Sequence, residues 1–179
     1  MRPAFKTGLF ALSAICVAVP LFAGIVSMSA LKVVEQFTDA QFKVEPWEML
    51  GDTRGSYLPG YGAVFTFEMS LVHAPMIWPF QMTITPEEKN SIHNRKLKQL
   101  PVLKQSMRDL IVKSASTLTT LPASENIVFE AHLLSQPYEE QEGLPWRLTM
   151  TAQRQKVLDA VQHRASPADF AAIIEERKE

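Results

Sequence analysis

Three separate stretches of this chain alternate apolar and polar side chains with a period of two, and a long helical block lies between the first and the second. This pattern constrains the fold most. In residues 63–71, Phe65, Phe67, Met69 and Leu71 alternate with Thr66, Glu68 and Ser70. In residues 126–134, Ile127, Phe129, Ala131 and Leu133 alternate with Glu130 and His132. In residues 146–151, Trp146, Leu148 and Met150 alternate with Arg147, Thr149 and Thr151. Period two places one set of side chains on each face of a strand. Three strands with one polar face each imply a sheet covered by helices on one side only.

The helical block opens on Thr85-Pro86-Glu87-Glu88, which is a capping box with proline at the first helical position. The pattern runs to about Leu121, and Pro101 inside it predicts a kink or a split. After the proline, Leu103, Met107, Leu110, Ile111, Leu118 and Leu121 fall on one helical face. The order strand, helix, strand, strand predicts an α+β fold: a small mixed sheet with a long Pro-kinked helix on one face. The long helical crossover predicts a parallel pair with a right-handed connection. The turn-rich stretch 136–145 then joins the last two strands as a long hairpin.

Outside this core, Leu31, Val34, Phe37 or Thr38, and Phe42 predict a short packing helix. Residues 46–62, with Gly51, Gly55, Pro59, Gly60 and Gly62, read as a loop in which Gly60 and Gly62 take tight or left-handed conformations. Residues 155–161 read as a helix. A second cap, Ser166-Pro167-Ala168-Asp169, starts a C-terminal helix with Phe170, Ile173 and Ile174 inward and charged residues 175–179 outward. The expected organisation is a leader or anchor at 1–29, a helix and loop at 30–62, an α/β domain at 63–160 and a helical appendage at 161–179.

Residues 7–31 carry no charge, and the two charges before them, Arg2 and Lys6, are basic. A positive start and an apolar run of about 15–20 residues form an export signal. Two readings stand. As a cleaved signal peptide, the apolar core is 8–22, Pro20 ends it, and Ser27 and Ser29 supply small side chains at the cleavage site. As a transmembrane anchor, the run is long enough, and the rest of the chain lies outside the cytoplasm. Lipoprotein processing at Cys16 is disfavoured by the bulky Ile15 before it. The expected location is therefore periplasmic or otherwise extracytoplasmic.

Of the 18 Lys and Arg, Arg2 and Lys6 lie in this leader; the remaining 16 face 19 Asp and Glu, a net charge of −3. General nucleic-acid affinity needs a basic surface and is not expected. Cys16 is the only cysteine, so the exported part has no disulfide, thiol nucleophile or cysteine metal site. The glycine loop 55–62 precedes a strand and lacks the Lys-Ser or Lys-Thr pair of a phosphate-binding loop. No Gly-x-Ser-x-Gly elbow and no His-Glu-x-x-His occurs. No cofactor or metal is expected.

Three features remain as candidate sites. The segment 73–80 has two prolines yet carries Met76, Ile77, Trp78 and Phe80, an apolar loop for a partner or bilayer surface, or a cover for the core. The long helix holds Lys89, Arg95, Lys96, Lys98, Lys104, Arg108 and Lys113 against Asp109 alone. That face suits an acidic partner or anionic lipid, or it is a solvated face whose internal partners are Glu139, Glu140 and Glu142. Glu68, Glu130 and His132, joined by His73, would converge on the open sheet face if their strands are neighbours, as an acid–base or weak metal site.

The motifs Tyr57-Leu58-Pro59-Gly60-Tyr61-Gly62 running into Val64-Phe65, Arg95-Lys96-Leu97 with Leu100-Pro101 and Leu103-Lys104, and Gly143-Leu144-Pro145 resemble an uncharacterised family of small exported bacterial proteins. The resemblance spans residues 30–160. It implies an exported single domain and no activity. The chain thus reads as an exported, non-catalytic binding or structural module of the cell envelope, with an envelope protein or the membrane surface as its partner. The alternatives are an enzyme using Glu68, Glu130 and His132, and a membrane-anchored scaffold.

Overall fold

The computed structural model describes residues 26–44, 46–73 and 84–179. The leader up to Ile25 and the loop carrying Met76, Ile77, Trp78 and Phe80 lie outside the described residues. The fold is mixed α+β. Its elements are α1 (Met28–Phe42), β1 (Glu48–Met49), β2 (Arg54–Leu58), β3 (Gly62–Ser70), α2 (Pro86–Thr117), β4 (Asn126–Leu133), β5 (Arg147–Gln153), α3 (Arg154–Gln162), α4 (Pro167–Ile173) and β6 (Glu175–Lys178).

One sheet holds all six described strands in the order β1-β3-β4-β5-β6, with β2 also paired to β3. The crossover through α2 returns parallel, Phe65 opposite Phe129 and Glu68 opposite His132. The other pairs are antiparallel. The inward set of the alternation is buried, Trp146 excepted. Phe65, Phe67, Met69, Ile127, Phe129, Ala131, Leu148 and Met150 are buried with Leu103, Met107 and Ile111 of α2 and Leu31, Val34 and Phe42 of α1. Phe65 stacks on Phe129 at 5.1 Å and Phe42 on Phe67 at 5.0 Å between ring centroids. Large apolar side chains removed from water on one face each contribute about 1.5–3 kcal/mol, enough to fix the register.

The Thr85 capping box forms: Glu88 N donates to Thr85 Oγ1 at 3.2 Å, and Thr85 N donates to Glu88 Oε2 at 2.9 Å. Pro101 does not split α2, which is one assigned helix of 32 residues. The pyrrolidine is exposed, while Leu100 and Leu103 beside it are buried and hold the helix to the core. The helix ends at Thr117, before Leu118 and Leu121, which are nevertheless buried.

Two readings from the sequence need correction. Residues 46–62 are not all loop. They hold β1 and β2, which together line one edge of β3. Glycine and proline mask these strands, whose edge position accounts for their tolerance of such residues. The edge is satisfied from α1: Gly55 N donates to Glu35 and Thr53 N to Asp39, both at 2.8 Å. Gly60 and Gly62 do take positive φ, 80° and 145°. A Cβ at Gly62 would lie 2.0 Å from the carbonyl oxygen of Asn126, so the β3–β4 start requires glycine.

The second correction concerns the C-terminus. The Ser166 cap forms, but its helix stops at Ile173, and Glu175–Lys178 becomes β6, antiparallel to β5. It is therefore the sixth strand of the sheet and not a helical appendage. A run of charged residues is a poor strand signal. It suits a sheet edge, where charge blocks pairing with other chains.

Candidate functional site

The strand register assembles the polar face. Thr66 lies opposite Glu130 and Glu68 opposite His132 between β3 and β4; Thr149 lies opposite Glu130 and Arg147 opposite His132 between β4 and β5. The strands carrying Glu68, Glu130 and His132 are thus neighbours. Their side chains do not join into one network. His132 Nε2 meets Glu130 Oε1 at 2.7 Å, and Thr149 Oγ1 donates to Glu130 Oε2 at 3.3 Å. Glu68 is exposed and lines a shallow recess of about 310 Å³ with Arg54 and His132. His73 does not join them. Its Nδ1 lies 3.3 Å from Glu48 at the end of β3.

The order of these contacts matters chemically. A nucleophile needs its hydroxyl beside a base, and the base beside an orienting acid. Here the carboxylate of Glu130 lies between Thr149 and His132, so the hydroxyl proton points to the acid and away from the imidazole. Among the described residues, no group of three or more His, Cys, Asp or Glu side chains is placed to hold a metal ion.

An aromatic group on this face was missed. The alternation predicts Trp146 inward, but it is 53 % exposed. Pro145 precedes it and β5 begins only at Arg147, so Trp146 falls outside the alternation. Its ring lies edge-on to His132 at 6.2 Å, and the Arg147 guanidinium lies over it at 4.6 Å. The backbone of Glu179, directly after β6, holds this corner in place: Trp146 N and Arg147 N both donate to Glu179 O, at 2.7 and 3.2 Å. Arg147 also pairs through its side chain with Glu179. Pro145 directly before the tryptophan was the available signal.

The basic helix divides into three parts. Lys96 is not on a solvated face: it is buried and paired with Glu139, and its Nζ donates to Leu134 O at 3.1 Å. His93 Nδ1 meets Glu140 O at 2.9 Å. The loop after β4 is pinned to α2 by these contacts, so one of the three expected internal partners, Glu139, provides the ion pair. Lys104 and Arg108 both reach Glu176 of β6, at 2.7 and 3.4 Å. Burial works to raise the Glu176 carboxyl, but hydrogen bonds and charge from Lys104 and Lys178 outweigh it and hold the group below its ordinary value. Arg95 and Lys98 are exposed, with no ion pair among the described residues.

No helix among the described residues is long and apolar enough to cross a membrane. No family model matches the chain, and neither the curated proteins nor the solved structures gave a match.

Proposed function

We propose that this chain is an exported, non-catalytic module of the cell envelope that binds a protein partner through the open sheet face around Trp146. The observation that carries the binding reading is the exposed Trp146 ring with Arg147 stacked on it and His132 against its edge. Tryptophan and arginine are the side chains that most often dominate protein interfaces. Here the backbone of Glu179, directly after β6, fixes both before a partner arrives, which lowers the ordering cost of association. Against catalysis stands the placement of Glu130 between Thr149 and His132.

The location rests on the start of the fold. Residues 7–25 are uncharged and follow two basic residues. The run approaches the roughly 20 apolar residues that a bilayer crossing needs. Val26 directly after them is 4 % exposed and belongs to the core. Ser27 O accepts from Ala30 N and Leu31 N at 3.0 and 3.2 Å, which makes it the start of α1. Cleavage after Ser29 would remove both residues. The retained segment then serves as an anchor that delivers the domain to the outer membrane surface without a linker.

The test is a pull-down from membranes combined with thermal melting. Trp146→Ala is expected to weaken partner capture by about 2 kcal/mol or more and to move the melting temperature little, because the ring is half in solvent. Glu130→Gln and Glu68→Gln are expected to leave cellular function intact. Loss of function in a folded Glu130→Gln variant would replace this reading with the enzymatic one.

A further inference from the structure

The ion pairs of α2 leave a remainder. Of the five basic residues Arg95, Lys96, Lys98, Lys104 and Arg108, Lys96 is neutralised by Glu139, and Lys104 and Arg108 converge on Glu176. Arg95 and Lys98 have no acidic partner among the described residues. They stand three residues apart on α2, which puts them on one helix face. Both line a single recess of about 360 Å³ with His73, Gln99, Val72 and Pro46. Val72 is 3 % exposed and gives the recess an apolar wall. His73 is tied to Glu48 through Nδ1 only. Gln99 adds an amide that donates or accepts.

We propose that this recess binds a phosphate group. A guanidinium, an ammonium, an imidazole nitrogen and an amide on one concave surface present donors in excess of acceptors. Arg95 offers a planar fork that matches two phosphate oxygens, and Lys98 adds a point charge. The volume lies at the lower end of small-ligand sites, which suits a headgroup-sized ligand. The phosphate comes either from free solute or from a phospholipid headgroup; the second source follows if the domain stands at the membrane surface. The recess is lined by neither Trp146 nor its neighbours, so its occupancy is independent of the partner-binding patch.

The experiment uses the full chain in a neutral detergent. Inorganic phosphate and glycerol 1-phosphate are titrated by calorimetry, and flotation is measured with vesicles of phosphatidylcholine alone or mixed with phosphatidylglycerol. Saturable binding is expected in at least one arm. It should fall about tenfold or more in Arg95→Gln combined with Lys98→Gln, and weaken with added salt. Lys104→Gln, which removes a cation already paired with Glu176, is expected to keep the affinity within about twofold. Binding of the free phosphates with equal flotation on both vesicles assigns the site to a solute. Preference for phosphatidylglycerol that vanishes in the double variant assigns it to a headgroup. Absence of saturable binding in every arm overturns the proposal, and so does equal loss in Lys104→Gln, which would mark a diffuse charge effect. Circular dichroism on each variant separates loss of binding from loss of fold.

Discussion

The two ends of the described chain attach to the same sheet by different physics. At the N-terminal end, Val26, Leu31, Val34 and Phe42 are all 4 % exposed or less. Phe42 alone stacks on Phe67 and meets Trp47 edge-on at 5.8 Å. At the C-terminal end, β6 is a strand of Glu, Glu, Arg and Lys. It is held by its backbone ladder to β5, by Glu176 reaching Lys104 and Arg108, and by little apolar burial beyond Ile174. The first attachment is mainly apolar burial, to which Glu35 and Asp39 of α1 add hydrogen bonds from the amides of Gly55 and Thr53. The second is electrostatic, lies at a sheet edge and responds to salt and acid. The end that is bound weakly is the one that positions Trp146, whose backbone donates to Glu179 O. The end that is bound strongly follows directly on the uncharged run of residues 7–25.

The comparison is sharpened first where the effect is largest. Phe42→Ala is expected to cost about 3–5 kcal/mol in urea unfolding, the range for a buried aromatic ring that leaves a cavity. A loss under about 1 kcal/mol would mean that α1 is not part of the cooperative core. Glu176→Gln is expected to cost only about 0.5–1 kcal/mol, and the difference from wild type should shrink as salt is raised. Its pH dependence has a definite sign. Because the folded carboxyl is held below its ordinary value of 4.5, its contribution is complete above that pH and is lost as pH falls through the lowered value. Amide protection of β6 in the wild type, corrected for the intrinsic exchange rate, should therefore fall below about pH 4.5, and by more than that of α1, whose apolar burial persists. Equal acid sensitivity at both ends would break the comparison.

Most of the core was legible because burial imposes periodicity. The spacing of Phe65, Phe67 and Met69, of Ile127, Phe129 and Ala131, and of Leu103, Met107 and Ile111 follows from which face each residue shows. The edges were not legible. β2 is punctuated by Gly55 and followed by Pro59 and Gly60, and the amides of Gly55 and of Thr53 just before it are satisfied by Glu35 and Asp39 of α1, contacts with no local pattern. β6 carries no apolar alternation. Its role depends on Glu176 meeting cations about 70 residues earlier. The same limit applies to the site. Convergence of Glu68, Glu130 and His132 was expected only on the condition that their strands are neighbours, which the β3–β4 pairing meets, and Glu139 was among the internal partners named for the basic helix. The burial of Lys96 was not readable, because it is set by where the loop after β4 ends against α2, and for the exposure of Trp146 the one local signal was Pro145 before it.

The most direct test of the account is the intact mass of the chain recovered from membranes. If the N-terminal end is built into the core as described, the recovered chain keeps Val26 and all of α1, and if residues 7–25 are the proposed anchor it also keeps residues 1–25 and stays with the membrane through an alkaline wash. A mature chain that begins at Ala30 and is released without detergent would contradict it, because that product lacks Val26 and the first residues of α1.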